Sequence, residues 1–212
     1  MRTIIFDLDG TLVDSLDDIT ASLNHVFGEL GFDAHSRAAT ETFIGDGARM
    51  LIRRALGPER RSLEDEVLER YRLHYGAHLT DHTRIYPGID ALLHELSRRG
   101  VTLAVLSNKP HEMTVEVVRE LLPAHDFAAV FGQRETVPRK PDPAAAIEIA
   151  GMLDGPFAFV GDTPVDMATA IAAQMRPIGV SWGMRDGALL EEAGAETVLA
   201  QPSDLLALLP DA

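Results

Sequence analysis

Two aspartates one residue apart, Asp7 and Asp9, follow directly on the strand-like run Thr3 to Phe6 in RTIIFDLDGTLVDS. Two unpaired carboxylates at the end of a buried strand repel each other and resist desolvation, so something must offset them. Three further clusters bear on what that is. Ser107 and Asn108 follow the apolar run VTLAVL. Asp162 follows FAFVG, with Asp166 four residues on. Lys140, in RKPDP, precedes a helix that begins near Asp142. Three ionised carboxylates against a single ammonium would repel an anion such as a phosphate. A divalent cation restores the balance, and Mg²⁺ takes a few carboxylate oxygens together with phosphate and water. Each cluster alone has an ordinary reading: a turn aspartate, a helix cap or a surface lysine. All four at strand ends point instead to one site.

The elements that must position these residues alternate. RTIIF reads as a strand, and SLDDITASLNHVFGELG as a helix, with Ser15 as N-cap and Leu16, Ile19, Leu23, Val26 and Leu30 on one face. From residue 15 to 82 the periodicity is helical, with DGARMLIRRALG and SLEDEVLERYRLHYGAHL both at helix spacing. After YPGI, strands and helices alternate to the C-terminus, where ETVLA reads as a short edge strand and PSDLLALL as a last helix. The prediction is an α/β fold with a parallel sheet covered on both faces, residues 1–14 and 83–212, and an all-helical insertion, 15–82. In such sheets ligands bind at the carboxyl ends of the strands.

Composition excludes several classes. The chain has 212 residues, no cysteine and a formal net charge of −14. That charge opposes nucleic-acid or anionic-membrane partners, which need basic patches. Disulfides and thiolate metal sites are excluded. No apolar run is long enough to span a bilayer. A strand starting at residue 3 leaves no room for a leader, so the expected location is the cytoplasm. Seventeen cations are arginines and two are lysines, Lys109 and Lys140, each followed by proline.

The four clusters together resemble the haloacid dehalogenase superfamily of phosphohydrolases. FDLDGTLVDS is similar to its first motif, VLSN to its second, the lysine of RKPDP to its third and FVGDTPVD to its fourth. The resemblance implies a Rossmann-like core with a small helical cap inserted after the first strand. It implies Asp7 as nucleophile, Asp9 as general acid and base, and Mg²⁺ held by Asp7, the main-chain carbonyl of Asp9 and Asp162. Ser107, Asn108 and Lys140 would bind the phosphoryl group, and Asp166 would orient ligands from behind. An aspartate at position 9, in place of threonine or serine, favours a phosphatase or mutase over an ATPase or dehalogenase.

In the insertion, FIGDGARMLIRRAL sets Gly45 and Gly47 around Asp46 at a helix start, with Arg49 in its first turns. Free N–H groups there suit an anion. The stretch resembles the Gly-Asn/Asp-Gly-Ala segment in the caps of phosphoglycolate phosphatases, as do SNKP and the SWG around Trp182. The implied substrate is a small phosphoester bearing a carboxylate, 2-phosphoglycolate. Another small-phosphoester phosphatase, a sugar phosphomutase or a receiver-type phospho-aspartate module remain open, as does monomer or homodimer. His74, His78 and His82 recur every four residues. Three imidazoles on one helix face could hold zinc, but the favoured reading is a half-exposed surface.

Overall fold

In order, the chain forms β1 (Thr3–Phe6), β2 (Val13–Asp14), α1 (Leu16–Glu29), α2 (Arg37–Phe43), α3 (Ala48–Leu56) and α4 (Glu64–Ala77). There follow β3 (Arg84–Ile85), α5 (Ile89–Arg98), β4 (Thr102–Pro110), α6 (His111–Leu121), β5 (Ala129–Gln133) and α7 (Ala144–Ala150). The last elements are β6 (Phe157–Gly161), α8 (Pro164–Ala172), β7 (Arg176–Val180), α9 (Gly187–Glu192) and β8 (Thr197–Leu199). The computed structural model describes residues 1–209. They fall into two compact units, Met1–Asp14 with the chain from Ile85 onward, and Ser15–Arg84.

The first unit is built on a six-stranded parallel sheet in the order β5-β4-β1-β6-β7-β8. Ile4, Ile5 and Phe6 of β1 are all buried, so both faces of the central strand are covered, as a parallel sheet requires. On one face Ile5, Ala104, Leu106 and Phe159 pack against Ala145, Ala146 and Ile149 of α7 and Ala170 of α8. The strand order reverses at β1, which lies between β4 and β6. A crevice opens at the carboxyl ends of the strands around such a switch point.

Two sequence expectations change here. Ser107 and Asn108 lie within β4, because the strand continues to Pro110 past a shift of register against β5 between Leu106 and Pro110. The last helix is a 3₁₀ turn, Pro202–Leu208. A short segment started by proline adopts the tighter form readily. Its entry is tied by Gln201, whose N–H donates to Asp204 Oδ2 at 3.1 Å.

The second unit is all-helical apart from Arg84 at its end. The apolar face of α1 is buried as its spacing predicts, with Phe27 added and Leu30 only half-buried. Ser15 does not cap α1 through its side chain. The first turn is used differently. Buried Asp18 accepts hydrogen bonds from His82 N at 3.0 Å and from Thr83 N and Oγ1, both at 2.7 Å. This tie holds the returning chain on α1, so the unit ends at Arg84 and the first unit resumes at Ile85, past the expected residue 83. The histidine series also breaks, since α4 ends at Ala77 and His82 lies beyond it. His74 stacks on His78 at 4.3 Å and on His25 of α1 at 3.9 Å, and its Nδ1 is 3.0 Å from Ser22 Oγ. Among the described residues no helix is long and apolar enough to cross a membrane.

Candidate active site

The register of the sheet assembles the site. Phe6 is aligned with Val105 on one side and Val160 on the other. The next residue, Asp7, still donates its N–H to Val160 O at 2.9 Å, so its carboxylate leaves the sheet where β1 ends. Ser107 and Asp162 each stand two residues beyond those aligned valines. Asp7, Ser107, Asn108, Lys140, Asp162 and Asp166 are all buried.

Lys140 is the hub. Its Nζ donates to Asp166 Oδ1 at 2.6 Å and to Leu106 O at 3.1 Å, and lies 2.9 Å from Asp7 Oδ1. Three donors thus meet three acceptors. Burial opposes its charge, but Asp166 and Asp7 outweigh that and hold the ammonium above its ordinary range. Asn108 fixes the backbone behind it. The amide Nδ2 donates to Lys140 O at 3.1 Å, and Oδ1 accepts from Lys140 N at 2.9 Å. Both ends of that side chain are committed to Lys140, so Asn108 positions the lysine through its side chain. Ser107 Oγ accepts from Lys109 N at 3.2 Å.

Asp166 forms a capping box with Thr163 at the start of α8, its Oδ2 accepting from Thr163 N at 3.0 Å and Oγ1 at 2.6 Å. One carboxylate thus braces both a helix and the lysine. Asp162 accepts from Thr11 Oγ1 at 3.2 Å and from Met184 N at 2.8 Å. Two glycines make room for it. Gly10 has φ +87° and a Cβ there would overlap the Asp162 carboxylate, while a Cβ on Gly183 would overlap Gly10 O and Asp162.

Asp9 has a partner that the four-motif pattern did not anticipate. Lys109 Nζ donates to Asp9 Oδ1 at 2.7 Å and Oδ2 at 3.0 Å, and the lysine side chain is 3% exposed. The signal was present in the sequence: in a chain that uses arginine for its other side-chain cations, both lysines occupy this site. Thr11 and Thr163 carried no such mark.

The electrostatics call for a cation. Burial, then Asp166 and, more weakly, Asp9, push the Asp7 carboxyl up from 3.8 to about 7, with Lys140 opposing. Burial, Asp166 and Asp7 raise Asp162 well above the ordinary carboxylate range. One oxygen from each of Asp7, Asp162 and Asp166 lies within 4.8 Å of the others. Hard oxygen donors carrying excess negative charge fit a divalent ion such as Mg²⁺. Asp166 already spends both oxygens on Lys140 and Thr163, so Asp7 and Asp162 are the better carboxylate ligands.

In the helical unit, Gly45 and Gly47 adopt φ +118° and +81°, and Gly47 opens α3. The acid between them, Asp46, pairs with Arg54, whose Nη1 also donates to Phe43 O at 2.9 Å. Arg49 Nη1 donates to Glu64 Oε1 at 2.8 Å and Asp65 Oδ1 at 2.7 Å. Arg53 Nε adds a bond to Glu64 Oε2 at 2.7 Å. Hydrogen bonds from Arg53 and then Arg49 hold Glu64 down at about 2. Of the guanidinium expected to meet a substrate carboxylate, Nη1 is thus engaged by acids of its own unit.

The model of the haloacid dehalogenase-like hydrolase family matches residues 4–180. A Pseudomonas putida protein named phosphoglycolate phosphatase is 32% identical over 99% of this chain and 79% of its own length. Phosphoglycolate phosphatase 1 of Pseudomonas aeruginosa is 33% identical over 97% and 78%. Among solved structures, a Lactobacillus delbrueckii subsp. bulgaricus protein inferred to be a phosphoglycolate phosphatase has TM-score 0.91 and 31% identity, covering 99% of both chains. A haloacid dehalogenase-like family hydrolase from Streptococcus pneumoniae has TM-score 0.88 and 26% identity, covering 98% of both.

Proposed function

This chain belongs to the haloacid dehalogenase-like hydrolases, and we propose that it is a phosphatase that hydrolyses 2-phosphoglycolate through a covalent phosphoryl group on Asp7. The observation that carries this reading is the placement of Asp7. A buried carboxylate at the end of the central strand touches one lysine and shares its crevice with Asp162.

In the first half-reaction an Asp7 oxygen attacks phosphorus, the phosphorus–ester oxygen bond breaks, and the leaving oxygen takes a proton from Asp9. In the second, Asp9 removes a proton from water, water oxygen bonds to phosphorus, and the Asp7 oxygen–phosphorus bond breaks. Lys140 and the Ser107 hydroxyl spread the charge that gathers on the phosphoryl oxygens. Held by Asp7, Asp162 and the Asp9 carbonyl, Mg²⁺ would supply the positive charge that lets a dianionic ester approach. Both Asp9 oxygens accept from Lys109 in this arrangement. Delivering a proton to the leaving group requires Lys109 to release one of them.

The helical unit is the proposed cap, and the start of α3 at Gly47 the proposed carboxylate contact. With Arg49 Nη1 engaged by Glu64 and Asp65, the main-chain N–H groups are the favoured donors. The test is phosphate release from a panel of esters, with and without EDTA. The reading predicts Mg²⁺-dependent release with the highest kcat/KM for 2-phosphoglycolate. Highest turnover on a sugar phosphate, with accumulation of its positional isomer, would replace it with a mutase.

A further inference from the structure

A second group of metal-ligating side chains lies in the first unit, among residues that the proposed hydrolysis does not use. Asp90 and His94 stand four residues apart on α5 and so share one face of the helix. His125 comes from the connection between α6 and β5, where its N–H donates to Leu122 O at 3.1 Å. This connection enters β5 at its amino end, and in a parallel sheet that edge lies opposite the carboxylate crevice.

The three differ in freedom. The His125 side chain is 2% exposed, and its Nε2 lies 2.8 Å from Asp90 Oδ1. Asp90 and His94 are 58% and 61% exposed. His94 Nδ1 is 3.8 Å from Asp90 Oδ2, and the two imidazoles meet edge to face with centroids 4.6 Å apart. One ligand atom from each residue falls within 4.8 Å of the others.

We propose that Asp90, His94 and His125 bind a divalent transition ion of the Zn²⁺ type. Two imidazoles and a carboxylate suit zinc, whereas Mg²⁺ prefers oxygen donors alone. A buried imidazole gives the ion a fixed anchor. The two exposed side chains on one helix face can close on it, to ligand distances of about 2.0–2.2 Å. Three protein ligands leave a fourth position for water on the open side. The ion joins α5 to the α6–β5 connection, two segments far apart in sequence, so its binding stabilises the fold.

The test is Zn²⁺ binding by equilibrium dialysis, with thermal melts in Zn²⁺, on the full chain. His94→Ala and Asp90→Asn alter exposed side chains, and circular dichroism confirms their folding. Asp162→Asn in the acidic cluster and His74→Ala in the other imidazole group serve as comparisons. Expected is at least tenfold weaker Zn²⁺ binding and loss of the Zn²⁺-dependent rise in Tm in both α5 variants. Asp162→Asn and His74→Ala should keep that component. The proposal is overturned if the α5 variants bind Zn²⁺ as wild type does, or if binding is lost only with Asp162→Asn or His74→Ala.

Discussion

Lys109 Nζ sits 2.7 and 3.0 Å from the two carboxylate oxygens of Asp9, a pair of opposite charges almost wholly removed from solvent. Lys109 and Ser107 lie on the same strand, so the segment that carries the hydroxyl proposed to bind the phosphoryl group also brings the partner of the proposed acid and base. Lys109→Met removes the ammonium from the Asp9 carboxylate. Hydrogen bonds to charged groups contribute about 1.5–3 kcal/mol, which is roughly ten- to a hundredfold in rate. We expect kcat on p-nitrophenyl phosphate to fall by that factor, with partial recovery in Lys109→Arg. Unchanged kcat in Lys109→Met would make the pair a fold element only.

The acidic cluster predicts a pH dependence with a definite sign. Asp7 has its carboxyl raised from 3.8 to about 7. Between those values the folded protein holds a proton that the unfolded chain has lost. Stability of the metal-free protein therefore falls as pH rises through this window. Mg²⁺ competes with that proton, so its stabilisation grows in the same direction. At a hundredfold excess over Kd the ion contributes about 2.7 kcal/mol, roughly 5–10 °C in Tm for a chain of this size. Melts at pH 5.5 and 8 with EDTA or Mg²⁺ check this. A larger Mg²⁺ shift at pH 5.5 than at pH 8 would contradict it.

The pairing of Arg49 with Glu64 and Asp65 divides the specificity test in two. Gly47 has φ +81°, so Gly47→Val strains the start of α3 and displaces its N–H groups. It should cut kcat/KM for 2-phosphoglycolate about tenfold more than for p-nitrophenyl phosphate, given about 1.4 kcal/mol per decade. Arg49→Ala should lower Tm by breaking its bonds to Glu64 and Asp65, with equal effects on both esters. Equal losses on both esters in Gly47→Val would remove the carboxylate contact from α3.

How much was legible in the sequence follows from what each signal encodes. Apolar runs and turn residues are local, so the strands and most helices could be read directly. Asp7 and Asp162 stood out as charged residues at the ends of apolar strands, and Lys140 as one of two lysines in a chain rich in arginine. Cross-chain pairings were not legible. Nothing near Asp18 shows that it will receive the backbone of His82 and Thr83, and nothing near Asn108 shows that its amide will clamp Lys140. The pairing of Arg49 was hidden for a related reason: nothing in a glycine-rich helix start shows that the acids of α4, Glu64 and Asp65, will fold against its guanidinium.

The central claim is covalent: the phosphoryl group passes through Asp7. Mixing the Mg²⁺-loaded protein with substrate, quenching in acid within one turnover and sequencing its peptides by mass spectrometry tests this directly. The account predicts one phosphoryl group on the peptide carrying Asp7, labile to hydroxylamine and absent in Asp7→Asn, which should fold but not turn over. A phosphoryl group on any other residue, or turnover by Asp7→Asn near the wild-type rate, would contradict it.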